Sequence, residues 1–174
     1  IFADADLSKA IPGAAMGIFG NAGQVCAAGS RLFVHESVRD QVLEGISRMA
    51  SALVVGNGMD PRTQMGPLVS DVQFARVTGY LESALAEGAQ VLVGGRERDS
   101  AGYFYEPTVL GGVTPDAKLL KEEIFGPVAP VIGFDDEDAA IAAANDTEYG
   151  LVAYVYTSDI KRAFRVVEKL ETGM

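Results

Sequence analysis

Apolar and polar positions alternate along the chain with two different periods, and the switches between them mark out the elements. After Asp6 the spacing predicts a helix rich in small residues, with Pro12 near its start or at a kink. Ala14, Ala15 and Gly17 on that helix imply close approach to other backbone. Arg31 to His35 reads as a short buried strand, and Ser37 is placed to cap the helix that follows. On that helix Val38, Val42, Ile46, Met49 and Leu53 fall on one face, and Gly56-Asn57-Gly58 stops it. Ser70 caps the next helix, which runs to Gly88, and Val91 to Val93 form a brief strand ending at Gly94-Gly95.

Further along, Tyr103 to Leu110 and Val128 to Phe134 are strand-like. Asp135 to Asn145 is a helix whose acidic first turn suits the positive end of its dipole. Leu151 to Thr157 alternates like a strand, with Tyr154 and Tyr156 on one face. Ser158 is placed to cap a last helix carrying Ile160, Phe164, Val167 and Leu170, closed by Gly173. Strands separated by crossover helices predict an α/β layered domain with a largely parallel sheet flanked by helices. The length of 174 residues suits one domain with a substantial core.

Composition narrows the chemistry. A net charge of −10 argues against a nucleic-acid partner, because phosphates would be repelled by most of the surface. No apolar run approaches a membrane span, and no basic-then-apolar leader opens the chain. With one cysteine an internal disulfide is impossible, so a reducing cytoplasm is the expected setting. One cysteine and one histidine, His35, make a zinc site improbable, and no metal is expected. His35 fits a structural role better than that of a lone base.

The most informative segment is Gly20-Asn21-Ala22-Gly23-Gln24-Val25-Cys26-Ala27-Ala28-Gly29-Ser30-Arg31. Gly and Asn break the first helix, and Cys26 opens a stretch that could form one helical turn. A thiol there would face unpaired backbone N–H groups and a positive dipole end, both of which favour the thiolate. Its own N–H would begin an oxyanion hole. Read locally, a free cysteine is also simply a small buried hydrophobe.

The string Gly23-Gln24-Val25-Cys26 followed by Gly29-Ser30-Arg31 resembles the active-site motif of the aldehyde dehydrogenase superfamily. Lys121-Glu122-Glu123-Ile124-Phe125-Gly126-Pro127-Val128 resembles that family's cofactor-contacting motif. Fainter resemblances at Met65 to Leu68, Tyr105 to Thr108 and Asn145 to Leu151 extend the match over nearly the whole chain. The resemblance implies that Cys26 attacks the aldehyde to give a thiohemiacetal. Hydride then passes to NAD or NADP, and water releases the acid from a thioester. It also implies that Glu123 binds the nicotinamide ribose hydroxyls and that Phe125 packs near the nicotinamide ring. Val25 and Ala27, small and apolar beside the nucleophile, would border the substrate pocket.

The family's general base sits in a Glu-Leu-Gly-Gly string that this sequence lacks, as it lacks the oxyanion asparagine, the cofactor-binding domain and the oligomerisation arm. Residues 1–174 therefore resemble the catalytic domain alone, a fragment unable to complete the cycle by itself, and the full-length protein would be a homo-oligomer. Tyr154 to Thr157 and Arg165 to Glu168 resemble the succinate-semialdehyde branch, while the flanks of Cys26 suit an uncharged aldehyde, so the aldehyde itself stays open. Two other readings share the fold: an acylating, coenzyme A-dependent or acyl-phosphate-reducing relative, and a non-catalytic interaction domain.

Overall fold

The computed structural model describes residues 1–96 and 102–174. Its first helix, α1 (Leu7–Phe19), is opened by Asp6, whose carboxylate accepts from the Ser8 N–H. Pro12 lies inside it. Of the small residues expected to pack closely on this helix, Ala14 and Ala15 are buried, whereas a Cβ added at Gly17 would meet nothing within 4 Å. The tight approach is instead at Gly45 of α2 (Glu36–Ala52), where an added Cβ would come within 2.7 Å of the Ile11 side chain.

Strand β1 (Leu32–His35) runs without a linker into α2. The cap of α2 is therefore the last strand residue. His35 accepts from the Ser37 N–H at 3.2 Å through Nδ1, and Ser37 itself lies within the helix. This corrects the expectation for Ser37 and gives the only histidine a structural task. The buried face of α2 carries Val42, Gly45, Ile46 and Ala50.

Ser70 caps α3 (Asp71–Ala86) as expected, accepting from the Gln73 N–H. The helix closes through bonds from Ala89 N–H to Ala84 O and from Gly88 N–H to Leu85 O. Gly88 takes φ +99° there, a left-handed stop that favours glycine. Then follow β2 (Gln90–Val93), β3 (Thr108–Gly111), the single turn α4 (Lys118–Lys121), β4 (Val128–Phe134), α5 (Glu137–Asn145) and α6 (Ile160–Lys169). Tyr103 to Leu110 is thus a strand only from Thr108, preceded by an isolated bridge residue at Tyr105.

The sheet order is β1-β4-β3-β2, with β4 parallel to both neighbours and β2 antiparallel to β3. The α/β layered class and the largely parallel sheet are as read from the sequence. The main core gathers on β3, β4, α2 and α3, where Val109, Leu110, Ala129, Val42 and Ile46 are inaccessible to solvent.

Leu151 to Thr157 is not a ladder strand, contrary to its alternation. It is extended backbone bonded in fragments: Phe2 N–H donates to Tyr156 O, and Ala153 N–H donates to Met174 O. Ile1 in turn bridges to β1 through Phe33 O and the His35 N–H. A second small cluster, Phe2, Ile141 and Val166, lies beneath this edge. The cap of α6 is Asp159, which accepts from the N–H groups of Lys161 and Arg162. Ser158 lies one residue outside the cap position, and its own N–H donates to Asp4. Among the described residues no helix is long and apolar enough to cross a membrane.

Candidate active site

The chain leaves α1 through a 3-10 turn, Gly20–Gly23, in which Asn21 (φ 49°) and Ala22 (φ 55°) are left-handed. Two successive non-glycine residues in that region are uncommon and concentrate at positions held by their surroundings. Here the hold is visible. Asn21 Nδ2 donates to Gln24 O. Gln24 spans to the Pro67–Val69 loop, accepting from the Val69 N–H at 2.9 Å and donating to Pro67 O at 3.4 Å. Gln24 thereby shapes the loop, and its partners come from the segment around Pro67, where the sequence showed a fainter resemblance.

Cys26 is exposed and sits in a β-turn closed by the bond from Ala28 N–H to Val25 O. The helical turn expected from Cys26 onward does not form, so no macrodipole acts on the thiol from its own segment. The turn is anchored on both flanks. Gly29 N–H donates to Gly17 O of α1, and Tyr154 Oη donates to Ala27 O at 3.0 Å. Arg31, at the end of the motif, donates to Ala143 O and Ala144 O and so satisfies carbonyls at the C-terminal end of α5. Its burial lowers the guanidinium pKa from the usual arginine value. These bonds anchor the end of the motif to α5.

The second motif meets the first backbone to backbone. Gly23 takes φ +68°, and a Cβ there would fall 2.1 Å from Gly126 O. Only a residue without a side chain permits that approach. Phe125, next to Gly126, is itself left-handed at φ 48°. Glu123 is half-buried, and among the described residues its carboxylate makes no hydrogen bond or ion pair with the protein.

Cys26 and Glu123 line one cavity of about 490 Å³, together with Gly29, Tyr149, Tyr154 and Tyr156. Phe125, Val25 and Ala27 do not line it. Val25 projects to solvent, and Ala27 contributes its carbonyl to Tyr154. The mouth is acidic: partial burial first, then the charges of Glu148 and Glu123, push the Tyr149 phenol pKa up. Among the described residues no three of His, Cys, Asp and Glu converge as metal ligands.

Sequence reasoning passed over the residues of α3 beneath the second motif. Gln73 and Arg76 reach its main chain, and Tyr80 Oη donates to Glu122 Oε2 at 2.8 Å. Their positions one turn apart on a helix were visible, but a side chain that binds distant backbone leaves no pattern near itself.

The sequence profile of the Aldehyde dehydrogenase family matches residues 1–174. The chain is 45% identical over its full length to the NADP(+) succinate-semialdehyde dehydrogenase GabD of Escherichia coli K12, of which it covers 36%. It is 44% identical over 99% of its length to a betaine aldehyde dehydrogenase of Cereibacter sphaeroides, again covering 36% of that protein. Among solved structures it superposes on a succinate-semialdehyde dehydrogenase from Burkholderia pseudomallei with a TM-score of 0.98 (43% identity, all of this chain and 36% of that one). An aldehyde dehydrogenase from Bacillus cereus in complex with NAD+ gives 0.97 (47% identity, 99% of this chain and 35% of that one). The chain thus spans about a third of the length of the relatives it matches, and within that span it belongs to the aldehyde dehydrogenase family.

Proposed function

We propose that this chain is the cysteine-bearing catalytic domain of an NAD(P)-dependent aldehyde dehydrogenase that oxidises a small aldehyde to its acid, with Cys26 as nucleophile. The observation that carries the proposal is that Cys26 and Glu123, far apart in sequence, line one cavity and are joined by the contact between Gly23 and Gly126. The names of the relatives support oxidation: one is an NADP(+)-dependent semialdehyde dehydrogenase, the other a betaine aldehyde dehydrogenase.

The residues fit the cofactor. A half-buried carboxylate with its oxygens unclaimed by the protein can accept from both hydroxyls of a ribose diol. Glu123 would hold that diol, while Phe125 lies outside the lining of that cavity. A bound NAD or NADP supplies the hydride acceptor.

Cys26 Sγ, as thiolate, adds to the carbonyl carbon of the aldehyde, and the oxygen takes the negative charge. The Cys26 N–H is the first donor for that oxygen. Once the carbon is oxidised, Cys26 carries the acyl group as a thioester, which water releases. Tyr154 and Gln24 keep the turn in place throughout, because each bonds backbone rather than substrate. Glycine at positions 17 and 29 leaves the approach to Sγ open. The exposed free thiol suits a reducing cytoplasm.

The test is aldehyde-dependent reduction of NAD or NADP by the intact protein and by its Cys26→Ala variant. Loss of activity on the order of 10³-fold or more in the variant, with an unchanged melting temperature, is expected. Wild-type-like turnover by Cys26→Ala would end the proposal. The 174-residue chain alone is expected to give no aldehyde-dependent NADH, and a rise would show that the domain works unaided.

A further inference from the structure

Three consecutive carbonyls, those of Glu123, Ile124 and Phe125, are all taken by side chains from one face of α3. Gln73 Nε2 donates to Ile124 O at 2.9 Å and to Phe125 O at 2.7 Å. Arg76 Nη2 donates to Glu123 O at 2.9 Å and also to Tyr80 Oη at 3.2 Å. Gln73 and Arg76 lie three apart on the helix and so project from the same side. Tyr80, one further turn along and 5% exposed, closes the set by donating to Glu122. Its ring lies under the cations of Arg76 (5.6 Å) and Lys118 (5.7 Å).

The segment needs such a clamp. Phe125 occupies the left-handed region, where an ordinary side chain costs about 1 kcal/mol or more. A short loop in that conformation relaxes unless the groups around it fix both its carbonyls and its direction. Gln73 supplies two donors from one nitrogen to the carbonyls on either side of the Phe125 N–H. Next to it Gly126 packs against Val77, also of α3, where a Cβ would fall 2.4 Å from Cγ2. None of these α3 residues lines the cavity. They act on the site only through the main chain that carries Glu123.

We infer that Gln73 and Arg76 are positioning residues for dinucleotide binding: they hold the Glu123–Phe125 main chain so that the Glu123 carboxylate faces the cavity. This rests on the reading of Glu123 given above. The inference turns on hydrogen-bond donation rather than on side-chain volume. Gln73→Glu, of the same shape, sets an acceptor against two acceptors and leaves both carbonyls unpaired. It should therefore be worse than Gln73→Ala, which admits water.

The experiment uses the intact protein, with NADH and NADPH as probes and nicotinamide fluorescence as the readout of Kd. Gln73→Ala and Arg76→Met are expected to weaken binding about tenfold each, and Gln73→Glu by more. Arg76→Lys keeps a donor and is expected to recover most of the affinity. Alkylation of Cys26 by iodoacetamide should proceed at the wild-type rate in every variant. Hydrogen exchange gives a second, activity-free readout: amides of residues 122–127 exchange faster in Gln73→Ala, while those within α3 keep their protection. Wild-type Kd and wild-type exchange in Gln73→Glu would overturn the inference. If exchange loosens as expected but Glu123→Gln binds NADH as tightly as wild type, the clamp stands as structure. Its role in cofactor binding then falls together with the reading of Glu123.

Discussion

The centre of the sheet and its β1 edge are held together by different physics. At the centre, β3, β4, α2 and α3 enclose side chains such as Val109, Leu110, Val77 and Ile46, all without solvent exposure. At the far edge, residues 1–6, α5 and 151–174 share a cluster of three buried residues and a set of charges. Asp4 accepts from Thr157 Oγ1, the N–H groups of Ser158 and Asp159, and Arg162. Glu137 receives both Arg162 and Arg165, and Asp138 receives Lys169. The centre is specified by volume and the edge by charge. Cys26 stands between them, its turn tied to α1 on one flank and to Tyr154 of the edge on the other.

That contrast can be broken from either side. The largest effect is expected at the junction of the two motifs: Gly23→Ala adds a Cβ at 2.1 Å from Gly126 O on a backbone with φ +68°. A loss of roughly 3 kcal/mol or more should follow, read as a fall in melting temperature or as failure to accumulate folded protein. Next is Leu110→Ala in the centre, expected to cost about 3 kcal/mol with little dependence on salt in urea titrations. Phe2→Ala removes the ring that meets Phe134 edge-on at 5.3 Å and carries Arg162 at 5.0 Å over its face. A cost of about 2 kcal/mol is expected, with faster hydrogen exchange confined to residues 1–6 and 151–174. If exchange quickened equally in β3 and β4, the two regions would be one cooperative unit and the contrast would lose its meaning.

The smallest effect is also the most selective. The hydrogen bond from Arg165, then the charges of Arg165 and Arg162, hold the Glu137 carboxyl below its usual value of 4.5. A carboxyl whose folded pKa is depressed stabilises the fold above its unfolded pKa, and that contribution is lost as pH falls through the folded value. Urea titrations of wild type should therefore lose stability as pH drops below about 4.5. Glu137→Gln should cost about 1 kcal/mol at pH 7 and flatten the acid limb. Added salt should shrink the difference between the two proteins, since these groups are partly exposed. An acid limb unchanged in Glu137→Gln would assign the pH dependence elsewhere, with Asp4 the next group to test. Burial opposes ionisation there, but bonds from Thr157 and Ser158 and the charge of Arg162 outweigh it and lower the pKa.

The same division explains what could be read from the sequence. Elements whose signals are local were legible: the face of α2, the Ser70 cap and the apolar run of β4. The Cys26 and Glu123 motifs were legible too, through resemblance rather than through any spacing between them. What escaped depended on distant partners. Ser158 has the chemistry of a cap, yet the helix starts one residue later than expected and Asp159 caps it, while Asp4 of the distant N-terminal segment binds the Ser158 N–H. Leu151 to Thr157 has the alternation of a strand, but among the described residues its backbone bonds reach only scattered partners such as Phe2 and Met174. Alternation reports which faces are apolar, never whether a pairing partner is at hand. Gln73 and Arg76 bind backbone carbonyls, and a carbonyl is the same at every residue.

The contact between Gly23 and Gly126 also has a history within each molecule's synthesis. About a hundred residues separate the two glycines, so at ordinary ribosomal rates the cysteine turn is made roughly 5–20 s before the segment that braces it. For that interval the thiol is part of a nascent chain with no cavity around it. The thiol is exposed in the finished domain as well, so the late arrival of Gly126 fixes where Sγ stands and does not shield it from cellular electrophiles.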